Sequence, residues 1–563
     1  MVVAYIFRIL FARFVILWRP FDRGIGWGLL SSNQFGMNPL DLLSALAAAK
    51  GAKSATFGKD LAYDQLIKEL ETLRAVKPAM ERSLTNFLEL TYDELKGRNI
   101  AIKRDKEAGK SLEYFEDKFT RELRETPGIK AVMVSFCDLE GKLHLLDYDK
   151  EFILNAYDNL TFDGSSIKGF TELGNSDLRL KVDWPSLKWI PSDVFGAGKV
   201  FVFGFVCDKD GTLYRSDYRS QLYSLSEHLK KEENTTVNVA PEIEGFLFEG
   251  ENAEQDYLEN GGFHYVTKGG YFNTLPQDTL RKFIDKVAEV QRALGFENEK
   301  DHPEVAPSQF EINFKYTDMV TTADQILLYK LTARQVATKM GYTACFLPKP
   351  IAGINGSGMH SNMSFAKDGK NIFYSASDDW KLSEVARRFL TGILYYAPDL
   401  CLTICPSVNA YRRLDPNFEA PNAIKVSPVD RGSMVRVPLG NEKSARVEVR
   451  SVAPDVNPYL AFYTLIQAGL RGVYATAENY ATMRDELATR ERQILPGTIQ
   501  EAMGLYEASE FITETLGEEN KRKYLELKSD VAMRSPHALG TYVKPDEITF
   551  HHEVRNQVLW SRF

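Results

Sequence analysis

Cysteine is scarce in this chain of 563 residues: Cys137, Cys207, Cys345, Cys401 and Cys405 are five, an odd set, and no two form a Cys-x-x-Cys pair. Neither a disulfide framework nor a zinc ribbon is expected from such a set, and the chain is read as a cytoplasmic protein kept in a reducing environment. Basic excess is missing too. Lys and Arg total 69 against 77 Asp and Glu, a formal net charge of −8; with a pI near 5.7, no electrostatic footprint for nucleic acid is expected. There is no clean apolar run of ~20 residues, because the stretch from Val2 to Trp18 is interrupted by Arg8 and Arg13, so no membrane span is expected. The same stretch lacks the small-residue cleavage site of a secretory signal. Gly353-Ile-Asn-Gly-Ser-Gly358 is rich in glycine, yet it opens a strand and lacks a following Lys-Ser/Thr, which excludes a P-loop and a dinucleotide fingerprint.

What remains is ordinary globular composition, 44% hydrophobic and 26% charged, in a chain long enough for roughly two to four domains. Residues 1–36 read as an atypical leader or a misassigned start, since Met37-Asn-Pro-Leu looks like a natural beginning with a helix opening on Asn38-Pro39. Residues 37–125 read as a helical extension that serves packing or oligomer contact; Tyr92 to Glu125 is its charge-rich amphipathic part. Around Lys130 the period changes to two. Ala131 to Cys137, a turn at Asp138-Leu-Glu-Gly141 and Lys142 to Leu146 form a hairpin signature, and Val200 to Val206 is a further strand, giving a small β domain over 126–220. From 221 to 563, helices at 278–294, 324–340 and 380–397 alternate with strands.

Four of those strands carry unusual polar faces. In Asn238-Val-Ala-Pro-Glu-Ile-Glu-Gly-Phe-Leu-Phe248, Glu242 and Glu244 stand two residues apart and so share a face. Gln309-Phe-Glu-Ile-Asn-Phe314 places Glu311 and Asn313 opposite Phe310, Ile312 and Phe314. Met359-His-Ser-Asn-Met-Ser364 aligns His360, Asn362 and Ser364, and Arg446-Val-Glu-Val-Arg450 sets Glu448 between two guanidinium groups. A face that merely met water would favour Lys, Thr and Ser; here Lys is absent, and adjacent carboxylates need a cation between them. Oxygen-rich ligands with one imidazole suit Mg2+ or Mn2+. Arg412, Arg413, Arg431, Arg436 and Lys443 supply forks and charges for an anionic, polyphosphate-bearing substrate.

These motifs together resemble type I glutamine synthetase. The resemblance rests on Asp-Gly-Ser-Ser at 163–166, Glu-Ile-Glu at 242–244, Lys-Gly-Gly-Tyr-Phe at 268–272 and Glu-Val-Ala-Pro-x-Gln at 304–309. Asn-Gly-Ser-Gly-Met-His at 355–360, Arg-Leu-x-Pro-x-x-Glu-Ala-Pro at 413–421 and Arg-x-Glu-x-Arg at 446–450 complete it. It implies an α+β fold: a β-grasp-like domain followed by a catalytic domain with a curved antiparallel sheet flanked by helices. It implies ATP-dependent ligation of ammonium to the side-chain carboxylate of glutamate, through γ-glutamyl phosphate, with two Mg2+ or Mn2+ ions per site. Glu244, Glu304 and Glu311 match the ligands of one ion, and Glu242, His360 and Glu448 those of the other. Arg413, Arg450, Asn355, Gly356 and Ser166 match substrate contacts. Tyr271, Ser364, Arg431, Arg436, Lys443 and Arg446 match nucleotide contacts. Asp163, Glu419, Arg431 and Arg450 match catalytic positions: Asp163 binds and deprotonates ammonium from a neighbouring subunit, and Glu419 lies on a flap that guards the acyl phosphate. Members of this type are double hexameric rings, so a homo-oligomer, a dodecamer, is expected.

The sequence departs from that pattern in places. Asn362 stands where a His is usual, Pro303 where the second His of a His-His-Glu run is usual, and Val429-Asp430 replaces a basic-polar pair. An Asn-Leu-Tyr-Asp-Leu-Pro regulatory loop is not found. His551-His552-Glu553 reads as structural, because adjacent residues diverge on a strand. Two alternatives stay open: a ligase that joins glutamate to a polyamine or other amine, and a non-catalytic ring-forming paralogue. The intact acidic set counts against the second.

Overall fold

The computed structural model describes residues 90–414, 420–533 and 543–551; the leader, the start of the helical extension, Glu419, His552 and Glu553 lie outside them. The charged stretch from Tyr92 is two helices, α1 (Tyr92–Glu107) and α2 (Leu112–Glu125). Thr91 opens α1 with a capping box, its hydroxyl accepting from the Glu94 amide at 3.2 Å while the Glu94 carboxylate accepts from the Thr91 amide at 2.6 Å. Gly109, at φ +70°, ends the run in a conformation that a residue with a Cβ adopts only with strain. Phe115, Phe119 and Leu123 recur every four residues and are all buried.

The first sheet holds β1 (Ala131–Cys137), β2 (Leu143–Asp149), β3 (Leu160–Asp163), β4 (Asp177–Val182), β5 (Lys188–Trp189) and β6 (Lys199–Cys207), in the order β2-β1-β6-β4-β3 with β5 on β6. The β1–β2 hairpin forms where the period-two pattern placed it, its turn held by the Asp138 carboxylate, which accepts from the amides of Glu140 (2.9 Å) and Lys142 (3.0 Å). β1 and β6 run parallel, and β6, paired with three other strands, is buried along nearly its whole length. This is a β-grasp arrangement.

The second sheet contains β7 (Thr235–Glu249), β8 (Asn298–Pro303), β9 (Gln309–Phe314), β10 (Thr317–Asp318), β11 (Tyr342–Cys345), β12 (Met359–Lys367), β13 (Lys370–Asn371), β14 (Ala423–Ser427), β15 (Ser433–Arg436) and β16 (Val447–Val449). Its main path is β14-β15-β16-β12-β7-β9-β8, antiparallel except for the parallel β14–β15 pair. β7 is the axis. From Thr235 to Glu244 it alternates strictly, with Val237, Val239 and Ile243 buried and Asn238, Glu242 and Glu244 half-buried. Gly245 then faces Phe310 of β9; a Cβ there would lie 2.7 Å from the phenyl ring, so only glycine lets the two strands pair at this point.

Helices α3 (Tyr218–Glu233), α4 (Thr279–Ala293), α5 (Met319–Met340) and α6 (Glu384–Tyr395) surround this sheet. Phe283 of α4 meets Phe310 edge-on at 5.0 Å, and Tyr329 of α5 meets Phe314 at 6.2 Å, so the apolar face of β9 is sealed by helices and its polar face points away from them. α5 begins five residues before the expected Asp324, because the Asp318 carboxylate caps the amides of Val320 (3.2 Å) and Thr321 (3.0 Å). The helix expected at 380–397 is shorter, starting after its Ser383 cap. Arg219 on α3 joins the two sheets' surroundings: its guanidinium, 1% exposed, bonds both oxygens of Asp324 at 2.8 Å and Asp183 at 2.5 Å. Asp183 follows β4 and Asp324 lies on α5, so this buried charge network fixes one sheet relative to the other.

Candidate active site

Cross-strand register assembles the polar faces into one. Glu242 stands opposite His360, Asn238 opposite Ser364, Glu244 opposite Glu311, and Glu311 in turn opposite His302. On the other side Asn362 is opposite Glu448, and Glu448 is opposite Arg436 of β15. Directly opposed residues on neighbouring strands share a face, so residues as distant in sequence as 238 and 436 line a single cavity wall.

Two groups of potential ligand atoms result, each confined within 4.8 Å: Glu242, His360 and Glu448, and His302, Glu304 and Glu311. His360 Nδ1 lies 3.6 Å from Glu242 and 3.8 Å from Glu448, and its Nε2 is 3.9 Å from Glu244. His302 approaches Glu304 at 3.6 Å and Glu311 at 3.5 Å. The first group is the ligand set that the sequence suggested. In the second, the structure adds His302, and Glu244 stands beside it: its carboxylate accepts from the Gly358 amide at 2.9 Å and from Gln309 Nε2 at 3.4 Å.

The electrostatics differ between the groups. Burial pushes Glu242 up, but the hydrogen bond and charge of His360, aided by Lys300 and Asn362, outweigh it and hold this carboxyl at about 2. Burial and the neighbouring charges of Glu311 and Glu304 push Glu244 well above the carboxylate range, against the pull of Arg413 and the Gly358 amide. Glu304 is pushed up to about 6 by burial and by Glu311. Glu311 itself is held low, since its hydrogen bond from His302 overcomes burial. Three carboxylates with too little positive charge among them are a donor set built for a hard cation, and the residues present fit a divalent ion.

A cavity of about 700 Å³ lies over this face. Tyr271, Asn355, Gly356, Ser364, Arg413, Arg431, Arg436, Lys443, Arg446 and Arg450 line it together with Glu242, Glu244, Glu304, Glu311 and His360. Glu448 sits fully buried behind the wall, paired with Arg436 and Arg450 at 2.8 Å each. Arg413 gives its guanidinium to main-chain carbonyls, Nη1 to Ser451 at 3.0 Å and Nη2 to Arg450 at 2.8 Å. Gly356 and Gly358 allow close approach there: a Cβ would come within 2.4 Å of the Pro348 carbonyl and 2.5 Å of the Arg413 guanidinium, respectively. Glu299, Lys300, His302 and Tyr316 also line the cavity and were not singled out from sequence, although the Asn298–Pro303 segment directly precedes the Glu304 motif.

Asp163 and Ser166 are not brought to this cavity. They lie at the exposed end of β3, where the Asp163 carboxylate accepts from the hydroxyls of Ser165 (2.6 Å) and Ser166 (2.7 Å) and is held below its ordinary range by them. His551 follows a short helix, not a strand, and its Nε2 lies 2.7 Å from Asp455. The five cysteines are buried, and no helix among the described residues is long and apolar enough to cross a membrane.

A β-grasp sheet is thus followed by a second sheet whose polar face joins acidic clusters to an arginine-rich rim, the arrangement of a ligase of the glutamine synthetase class. The model for the catalytic domain of glutamine synthetase matches residues 215–542, and that for its β-grasp domain matches 128–209. Similar curated proteins include the glutamine synthetases of Methanosarcina mazei, 36% identical over 411 residues (70% of this chain, 90% of the relative), and of Clostridium saccharobutylicum, 37% identical over 422 residues (71% and 92%). The fold is also similar to a solved GmaS/ADP complex, with a TM-score of 0.62 and 25% identity over 73% of this chain and 95% of that one. The chain belongs to the glutamine synthetase family.

Proposed function

We propose that this chain is a glutamate–ammonium ligase. The γ-phosphoryl group of ATP passes to the side-chain carboxylate of L-glutamate, and ammonia then displaces phosphate from γ-glutamyl phosphate to give glutamine, ADP and phosphate. The observation that carries this reading is the single cavity in which two acidic groups, one at Glu242 and one at Glu304 and Glu311 with Glu244 beside it, meet Arg431, Arg436 and Arg446. A phosphoryl group in flight needs charge neutralisation on all sides and little else.

In this reading Glu242, His360 and Glu448 hold one divalent ion and Glu244, Glu304 and Glu311 the other, Mg2+ or Mn2+, with His302 within reach of the second. When bound, such ions neutralise the polyphosphate and stabilise in-line transfer. Arg431, Arg436, Lys443 and Arg446 bind phosphate oxygens, with Tyr271 and Ser364 toward the nucleoside. Arg413, Asn355 and Gly356 orient the amino acid beside Glu244, and Arg450, pinned by Glu448, steadies the transferred group. Asp163 and Ser166, remote from the cavity within one chain, complete the ammonium site of a neighbouring subunit, which makes the functional unit a homo-oligomer, a dodecamer of two rings. Glu419 shields the acyl phosphate from water. The β domain spans 126–220, the catalytic domain spans 221–563, and the enzyme works in the cytoplasm.

The test is phosphate release from ATP with glutamate plus ammonium, set against glutamate plus putrescine, with the amide product identified by mass spectrometry. Ammonium-dependent release matched one-to-one by glutamine is the expected result. Faster turnover with putrescine would assign the amine-ligase chemistry instead, and release in neither mixture would overturn the reading.

A further inference from the structure

The last segment that the structure describes lies past the matched catalytic domain and touches none of the cavity. Helix α7 (Val408–Arg413) carries two consecutive arginines with different tasks. Arg413 lines the cavity, whereas Arg412 is buried at 2% exposure against Glu547 of helix α8 (Pro545–Thr549). The ion pair is close: Arg412 Nε donates to the two Glu547 oxygens at 2.8 and 3.1 Å, and Nη2 lies 2.7 Å from Oε1. Asn409, one turn back on α7, donates to the same carboxylate at 3.2 Å and to the Lys349 carbonyl at 3.0 Å, and it accepts from the Lys349 amide. Lys349 adjoins Pro348, whose carbonyl accepts from the Ser357 amide at 2.7 Å in the loop that holds Asn355 and Gly356.

A second tie repeats the device. His551 Nε2 lies 2.7 Å from Asp455 Oδ2, which also accepts from Ser407 Oγ at 2.6 Å, and Ser407 is the N-cap of α7. Asp455 sits just past Arg450, Ser451 and Val452, the three residues whose carbonyls grip Arg413. Val543 and Ile548 join a buried cluster with Phe246, Phe248 and Leu347, and the partly buried Ile354 of the same loop packs against it.

From this geometry we propose that residues 543–551 brace the amino-acid side of the cavity, and that Glu547 is a positioning residue for Arg413, Asn355 and Gly356. The inference rests on the reading of those three as the glutamate-binding groups. Buried ion pairs contribute little net stability once desolvation is counted, but they fix geometry. Displacing a binding group by ~1 Å can cost ~100-fold in rate. No described contact reaches from Glu547 to the nucleotide side, where Arg436, Lys443 and Arg446 lie.

The full-length chain with Arg412→Met and Glu547→Met together removes the ion pair without leaving either charge buried alone. Its KM for glutamate is expected to rise about tenfold or more, with KM for ATP within about twofold of wild type and an unchanged melting temperature. If this pair of changes prevents folding, Glu547→Asp is read instead: it keeps the charge, shortens the reach, and is expected to raise KM for glutamate alone. A folded variant in which both KM values stay put, or rise together, overturns the positioning role. Wild-type protein that saturates with ATP but shows no glutamate-dependent turnover overturns the reading of the site itself, and the inference with it.

Discussion

Asn362 Nδ2 donates to Glu242 Oε1 at 3.1 Å, and the same amide's oxygen accepts from Arg446 Nε at 2.8 Å. An arginine can only donate, so the amide has one orientation, and it joins a proposed ion ligand to a proposed phosphate contact. Asn362→Ala should weaken Mn2+ binding by about 10- to 100-fold, because residues that orient a ligand are worth about that much. Calorimetric titration of the ion checks this, and unchanged affinity would remove Asn362 from the site.

Glu304→Gln and Glu448→Gln should each lower phosphoryl transfer by about 100-fold or more while the protein stays folded. Arg436 and Arg450 each take a different oxygen of Glu448, so Glu448→Gln removes the charge and leaves an acceptor for only one of the two arginines. Turnover within about threefold of wild type in saturating Mg2+, with the fold verified by melting, would refute the assignment of ligands.

The Glu304 carboxyl, at about 6 when folded against an ordinary 4.5, binds more protons in the native state than in the unfolded one between those pH values. Its contribution is therefore fully present below 4.5 and lost as pH rises through 6, a difference of roughly 2 kcal/mol. In chelator-treated protein, the stability of wild type relative to Glu304→Gln should fall as pH rises across that window. Mg2+ should abolish the fall, since a bound cation favours the ionised form. Urea titrations at pH 4.5 and 7, with and without Mg2+, give the comparison; a difference independent of pH would contradict it.

The distance of Asp163 from its own chain's cavity predicts complementation. Asp163→Ala and Glu304→Gln proteins should each be inactive, yet oligomers reassembled from both should regain activity if, as proposed, each site draws on two subunits. Mixed oligomers verified by mass that remain inactive would argue for a site contained in one chain.

The strands that carry the site were legible because a period of two separates their faces: Glu242, Glu244, Glu311, His360 and Glu448 each occupy the polar phase of an alternation. β8 was not, since Asn-Glu-Lys-Asp-His-Pro has no apolar face of its own. It is held by pairing with β9, and the rings of Tyr271 and Phe272 pack edge-on against His302 at 5.5 and 4.7 Å. The early start of α5 was legible in principle, in the cap at Asp318, but Met319 to Thr322 carries no helical period by itself. Nothing local in sequence relates Glu547 to Arg412. Such pairings are set by tertiary packing, and only the folded chain displays them.

That pairing also orders events during synthesis. Arg412 and Glu547 are 135 residues apart, so a chain growing from its N-terminus completes both acidic groups and most of the arginine rim well before Glu547 emerges from the ribosome. A nascent chain can then bury the apolar face of its central strand early, while the contact between Arg412 and Glu547 forms only after the residues between them have been made.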